Sequence, residues 1–220
     1  MDQLQWSYSS LKDFAGCPKR YHEIKILKNF EFVPTEAILV GQRIHSAIEH
    51  YIKDGTPLPK NYLHYKEYID PILELPGEKM VEHKMALKFD RTACDFSDKN
   101  RWVRGIADLI ILNRENKIAT VVDWKTGSER YPDVNQLKLM ALMIFAHFSE
   151  VDSVRSALVF VNKKHLVSED YTRENSASLW EHFLPDLERL KLAHEKDEWV
   201  ESPSALCAYC AVKTCKFNKA

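Results

Sequence analysis

The stretch VVDWKTG, Val121–Gly127, decides how this chain is read. Two valines suit a buried strand, yet the run ends in an acid, an aromatic, a base and a glycine. Side chains alternate along a strand, so Asp123 and Lys125 share one face at its end. Taken alone, a D-x-K pair is most often a structural ion pair. Its neighbours argue for more.

Upstream, RGIADLIIL (104–112) and KIATVVDWK (117–125) flank the turn NREN, a pattern that predicts a hairpin. Alternation places Ile106, Asp108, Ile110 and Leu112 on one face of the first strand. VEHKMALKF (81–89) predicts a strand before them, with Val81, Met85, Leu87 and Phe89 together. The hairpin brings Asp108 near Asp123. A carboxylate among apolar neighbours is costly without a counter-charge, and two at close range cannot both ionise cheaply unless a cation lies between them. Carboxylate oxygens suit a hard divalent ion, magnesium or manganese.

Further out, residues 35–52 carry the stripe Ile38, Gly41, Ile44, Ile48 and Ile52, which predicts an amphipathic helix with His45 on its inward edge. With two acids and a lysine, this imidazole reads as a ligand. Glu82 reads either as a surface acid or as an aid to a second metal or the attacking water. Residues 133–148 predict an apolar helix, SVRSALVFV (153–161) a fourth strand, and 173–196 a long helix. SSLKDF places a helix start at Ser10, three residues ahead of Asp13, and 54–78 reads as a loop or helical insert. The expected architecture is a mixed sheet flanked by helices.

The bulk figures set bounds. The chain has 220 residues, 45% hydrophobic and 29% charged, with a formal net charge of −1. That suits one globular domain with a sizeable core. No apolar run is long enough to span a bilayer, and the first residues lack a signal-peptide pattern, so the cytoplasm is the expected compartment. A polyanionic partner would need a local patch: Lys19, Arg20, Lys25 and Lys28, or Lys163 and Lys164, or Lys213, Lys216 and Lys219. Of five cysteines, Cys207, Cys210 and Cys215 crowd the end as CAYCAVKTC, a spacing that points to metal before disulfides. Three thiolates want a fourth ligand.

His45, GIAD ending at Asp108, DWK at 123–125 and Gln136, in that order, resemble the PD-(D/E)XK nuclease superfamily, specifically its RecB-like branch. That branch includes the CRISPR-associated exonucleases, and SYSSLKDFAGCPKRYH (7–22) with the terminal cysteines is similar to its iron–sulfur variants. The resemblance runs from Ser7 to Cys215. It implies a restriction-endonuclease-like α/β fold, with a mixed central sheet flanked by helices, over residues 1–220. Within it, 1–34 and 197–220 form a four-cysteine subdomain. It implies that His45, Asp108, Asp123 and the Trp124 carbonyl hold Mg2+ or Mn2+. Lys125 then orients or helps activate water, and Gln136 positions water or phosphate. The family's Q-x-x-x-Y motif fails at Met140, whose simplest role is helix packing. Cys17, Cys207, Cys210 and Cys215 are implied to bind a structural 4Fe–4S cluster, with zinc as the rival; Cys94 matches no motif.

The implied activity is a DNA exonuclease or end-processing nuclease acting on free ends. Such a compact nuclease suits a phage or mobile element, with recombination or replication proteins as partners. The competing readings are a non-catalytic iron–sulfur DNA-binding accessory module and a small-molecule metalloenzyme. Absence of a glycine-rich phosphate loop counts against the last.

Overall fold

The computed structural model describes residues 4–219. In chain order, α1 (Tyr8–Gly16) and α2 (Pro18–Tyr21) precede α3 (Glu36–Asp54) and α4 (Lys66–Leu73). Strands β1 (Glu78–Leu87), β2 (Ala93–Cys94), β3 (Val103–Asn113) and β4 (Ile118–Lys125) follow. Helix α5 (Val134–His147), strands β5 (Ser153–Phe160) and β6 (His165–Thr172), and helices α6 (Ser176–Glu181) and α7 (Leu184–Lys196) complete the order. The chain divides into two compact units: Thr35–Trp180, and the residues up to Pro34 with those from Glu181 on.

The second of these units is built on an aromatic core shared by its two segments. Phe14 meets Tyr21 and Trp199 edge-on, and Phe183 packs on Trp6 and Tyr8. Helix α1 starts earlier than the Ser10–Asp13 pattern suggests. Ser7 caps it, its Oγ accepting the Ser10 N–H while Ser10 Oγ accepts the Ser7 N–H. Asp13 instead pairs with Arg20 at 3.0 Å.

Thr35–Trp180 carries a mixed six-stranded sheet in the order β2-β1-β3-β4-β5-β6. Every pairing is antiparallel except β4 with β5, whose parallel register needs a crossover, and α5 supplies it. Leu109 and Ile111 of β3, Val122 and Trp124 of β4, and Val159 of β5 bury one face against Ile44, Ile48 and Ile69 of α3 and α4. Helix α5 is apolar nearly all round, and Leu137 and Leu139–Phe145 are buried, as a helix inside a core requires. No described helix is long and apolar enough to cross a membrane.

One irregularity positions everything that follows. Strands β1 and β3 hold a single register from Glu78 opposite Leu112 to Leu87 opposite Val103, but the ladder skips Glu82 and Asp108. Glu82 is left-handed, with φ of 49°. Before the break, Val81 and Leu109 pack on the α3 side. Beyond it, His83 rests on Phe148, and a Cβ at Gly105 would meet Met140 and Met143 of α5. One unpaired residue on each strand has reversed both alternations while leaving the register intact.

This corrects the uninterrupted period-two pattern. Ile110 is fully buried whereas Ile106 is 40% exposed, and Phe89 lies beyond β1, 62% exposed, away from Met85 and Leu87. Of the two readings of residues 54–78, the helical insert holds, with a 3-10 segment, Lys60–Tyr65, and α4. Two further departures have local causes. The helix expected over 173–196 breaks into α6 and α7, with Pro185 in the first turn of α7. Strand β6, HLVSEDYT, has too little apolar alternation to announce itself and is specified by its pairing with β5.

Candidate active site

The acids meet where β3 and β4 part. Leu109 lies opposite Val122, so the next pair in register is Asp108 and Asp123, and there the ladder stops. Strand β4 runs on beside β5 to Lys125. Freed from the ladder, the Trp124 N–H donates to Asp108 Oδ2 at 2.8 Å. A side chain thus replaces the missing backbone acceptor and fixes one carboxylate beside the other's strand.

Helix α3 delivers the imidazole. Its Gly41 lies so close to the end of β4 that a Cβ there would stand 2.9 Å from Thr126 Oγ1. One turn further, His45 Nδ1 lies 3.3 Å from Asp108 Oδ2. The opposite flank is a ring of three side chains. Lys125 Nζ donates to Gln136 Oε1 at 2.9 Å, and Gln136 Nε2 donates to Asp123 Oδ1. The Lys125 ammonium also stands 2.6 Å from Asp123 Oδ2, although without a hydrogen-bonding angle to that buried oxygen. His45, Asp108, Asp123, Lys125 and Gln136 are therefore brought together, with Trp124 between the two acids. Met140, where the Gln136 motif wants a tyrosine, packs over Gly105 and is buried.

Electrostatics follow from this crowding. Burial and then the Asp108 charge push Asp123 up to about 6, against the opposing pull of Lys125. Burial pushes His45 down, but the hydrogen bond to Asp108 and the charges of Asp108 and Asp123 outweigh it, and the net shift is upward. Such paired displacement marks a site that would accept positive charge. The cleft beside it, about 660 Å³, is lined by Gly41, His45, Glu49, Glu82, Asp108 and Thr126 among others. Glu82 therefore stands in the cleft, raised first by burial and then by Asp108 and Glu49. Glu49 was missed in the sequence, although its spacing of four from His45 on α3 carries the signal.

The donor set fits a hard divalent ion: two carboxylates, an imidazole, and a buried carboxylate oxygen lacking an aligned hydrogen bond. Among the described residues, no three His, Cys, Asp or Glu groups stand ready-made around one point. The acids are turned instead towards His45, Lys125, Gln136 and the Trp124 amide.

In the unit formed by the two ends of the chain, Cys17, Cys207, Cys210 and Cys215 line one small cavity with Lys19, Arg20 and Glu201 among its other walls. All are free thiols. Cys17 precedes α2, and Cys207 lies in a 3-10 turn, Ala205–Tyr209, where its Sγ accepts the Ser204 N–H at 3.4 Å. Asn218 closes the tail by donating to the Cys210 and Val212 carbonyls at 2.9 Å. Four thiolates are the donor type that zinc or an iron–sulfur cluster takes, although among the described residues the thiols, like the acids, do not close around one point. Cys94 is on β2, in the unit Thr35–Trp180.

Comparison with known proteins agrees with this geometry. The profile of the PD-(D/E)XK nuclease superfamily matches residues 5–215. A solved structure of a candidate exonuclease from Eubacterium rectale superposes with a TM-score of 0.57 at 17% identity, covering 96% of this chain and 88% of that one. That likeness is one of fold. A second structure, of the protein SSO0001, gives 0.46 at 14% identity over 100% of this chain and 89% of its own. No curated protein gives a match.

Proposed function

The chain belongs to the PD-(D/E)XK nuclease superfamily, and we propose that within it the protein is a divalent-metal-dependent DNA exonuclease or end-processing nuclease of the RecB-like branch. The observation that carries this reading is the parting of β3 and β4 at Asp108 and Asp123, with His45 and Lys125 on either flank.

In this reading Asp108, Asp123, His45 and the Trp124 carbonyl would hold Mg2+ or Mn2+, with Glu82 in the cleft as a further oxygen donor. When bound, the ion lowers the pKa of the attacking water and neutralises phosphate charge. The chain's own residues do the rest. Asp108 lines the cleft, with its Oδ2 held by the Trp124 amide and beside His45. Lys125, half-buried and anchored by Gln136, stabilises charge as it gathers on the scissile phosphate. Gln136 sets the lysine's position and contributes an amide for water or phosphate.

The four thiols are proposed to bind a 4Fe–4S cluster with a structural role, zinc being the rival. Anaerobic purification with visible absorption, followed by iron, sulfide and zinc analysis, separates the two.

The test is digestion of end-labelled single and double strands with Mg2+ or Mn2+. Asp108→Ala and Lys125→Ala should each lower the rate by about 100-fold or more, with circular dichroism unchanged. Robust cleavage by either variant overturns the assignment. Binding without cleavage by the wild type across several divalent ions would favour the accessory-module reading instead.

A further inference from the structure

Beyond the break at Glu82 and Asp108, one face of β1 and β3 is covered by α5, through Gly105 against Met140 and Met143. Met85 is opposite Gly105, so Lys84, Ala86, Arg104 and Ile106 point to the other face. There Lys84 pairs across with Ile106, and Ala86 with Arg104. Lys84, Arg104 and Ile106 are all exposed.

Two features of that face are unusual. Neither Lys84 nor Arg104 has a carboxylate within ion-pair distance among the described residues, whereas Lys125 of β4 pairs with Asp123 and Arg155 of β5 with Asp170. Both cations instead flank the ring of Phe96, at 5.7 and 5.4 Å. The row also begins at the acids. Lys84 is two residues from Glu82 and Arg104 four from Asp108, or about 7 and 13 Å at strand rise. The connecting loop carries Asp90, Asp95 and Asp98; Asp90 is hydrogen-bonded by Thr92 and Asp98 caps its own turn, and among the described residues none of the three forms an ion pair with Lys84 or Arg104.

We propose that this open face, Lys84–Ile106–Arg104 with Phe96, is the track on which a single DNA strand lies as it enters or leaves the acidic cleft. The argument is one of charge and width. A chain of net charge −1 has no global attraction for polyanions, so unpaired cations beside a phosphodiester site matter locally. One row of cations follows one backbone, and the apolar Ile106 between them offers contact to unpaired bases rather than to a duplex edge. The inference rests on the nuclease reading above for its location and is tested separately from it.

The full chain is titrated with a fluorescent single-stranded oligonucleotide in chelator, where binding is read without cleavage. Lys84→Ala and Arg104→Ala should each weaken binding several-fold and flatten the dependence of log K on log salt by about 0.7. Arg155→Ala removes the same charge from a paired surface residue and should change neither. Unchanged affinity and slope in both strip variants overturn the proposal, as does an equal loss in Arg155→Ala. A matched duplex that binds as tightly and loses as much overturns the single-strand assignment. If the wild type never cleaves yet the strip variants lose binding, the nuclease reading fails while the track stands.

Discussion

The acidic cleft and the four-cysteine cavity both gather ligand-type side chains from distant parts of the sequence, but they are held by opposite means. The acids are placed by strand register, and each already has a protein partner: His45 and the Trp124 amide for Asp108, Lys125 and Gln136 for Asp123. The cysteines sit on turns. Their loop is tied by isolated backbone bonds and by Asn218, and Val212 is the buried apolar residue within it. A sheet can keep its cleft without an ion, whereas a turn-built cavity draws on whatever binds there. In the proposed reading, the cation serves chemistry and the cluster serves folding.

The sharpest way to break that contrast is to remove one ligand from each. Cys210→Ser should strip the iron or zinc and lower the unfolding temperature steeply, with loss of metal measured beside calorimetry. Asp108→Asn should leave the unfolding temperature within a few degrees of wild type while activity falls by about 100-fold or more. If the cysteine variant stays as stable as wild type, the cavity is not a structural centre and the contrast fails.

The contrast also explains what the sequence could show. D-x-K at the end of an apolar run, and an aspartate inside another, are visible because charge is rare in buried strands. His45 follows from helical spacing, and Gln136 only from its resemblance to a family motif. The break at Glu82 and Asp108 is invisible, because an unpaired residue on both strands cancels in the register and each strand still reads as a continuous pattern. That break and α3 put Glu49 and Glu82 in one cleft, which settles Glu82's place beside the acids, whereas Glu49 could have been found from its spacing to His45. Strand β6 is polar on most positions and owes its form to β5.

A subtler test uses pH. Burial and Asp108 hold Asp123 up to about 6 in the folded protein, against an ordinary 3.8. The folded state therefore binds the proton more tightly than the unfolded chain, and stability in chelator falls as pH rises between those values. Above about pH 6 the penalty is complete, on the order of 3 kcal/mol. Asp123→Asn lacks this group, so the difference in unfolding free energy between variant and wild type should shift in the variant's favour from pH 4 to pH 7. A pH-independent difference would show that the acid is not held in a cation-demanding site. Saturating Mg2+ should abolish the wild-type penalty, since a bound cation favours the ionised form.

The smallest expected effect concerns how α3 reaches the cleft. Gly41 allows the helix to approach Thr126 because a Cβ would stand 2.9 Å from its Oγ1. Gly41→Ala must either turn the threonine or lift the helix. Helix propensity favours alanine by up to about 1 kcal/mol, while overpacking costs about 1–3 kcal/mol, so the net loss of stability should be about 1 kcal/mol. His45 lies one turn along the same helix, so lifting it loosens the 3.3 Å approach to Asp108 and should raise the metal concentration needed for half-maximal cleavage. Thr126→Ala removes the obstructing oxygen. The double variant should therefore recover both stability and metal affinity, a coupling that a double-mutant cycle reads directly. Additive losses would mean that the close approach at Gly41 does not set the position of the imidazole, and that α3 is held by Ile44 and Ile48 alone.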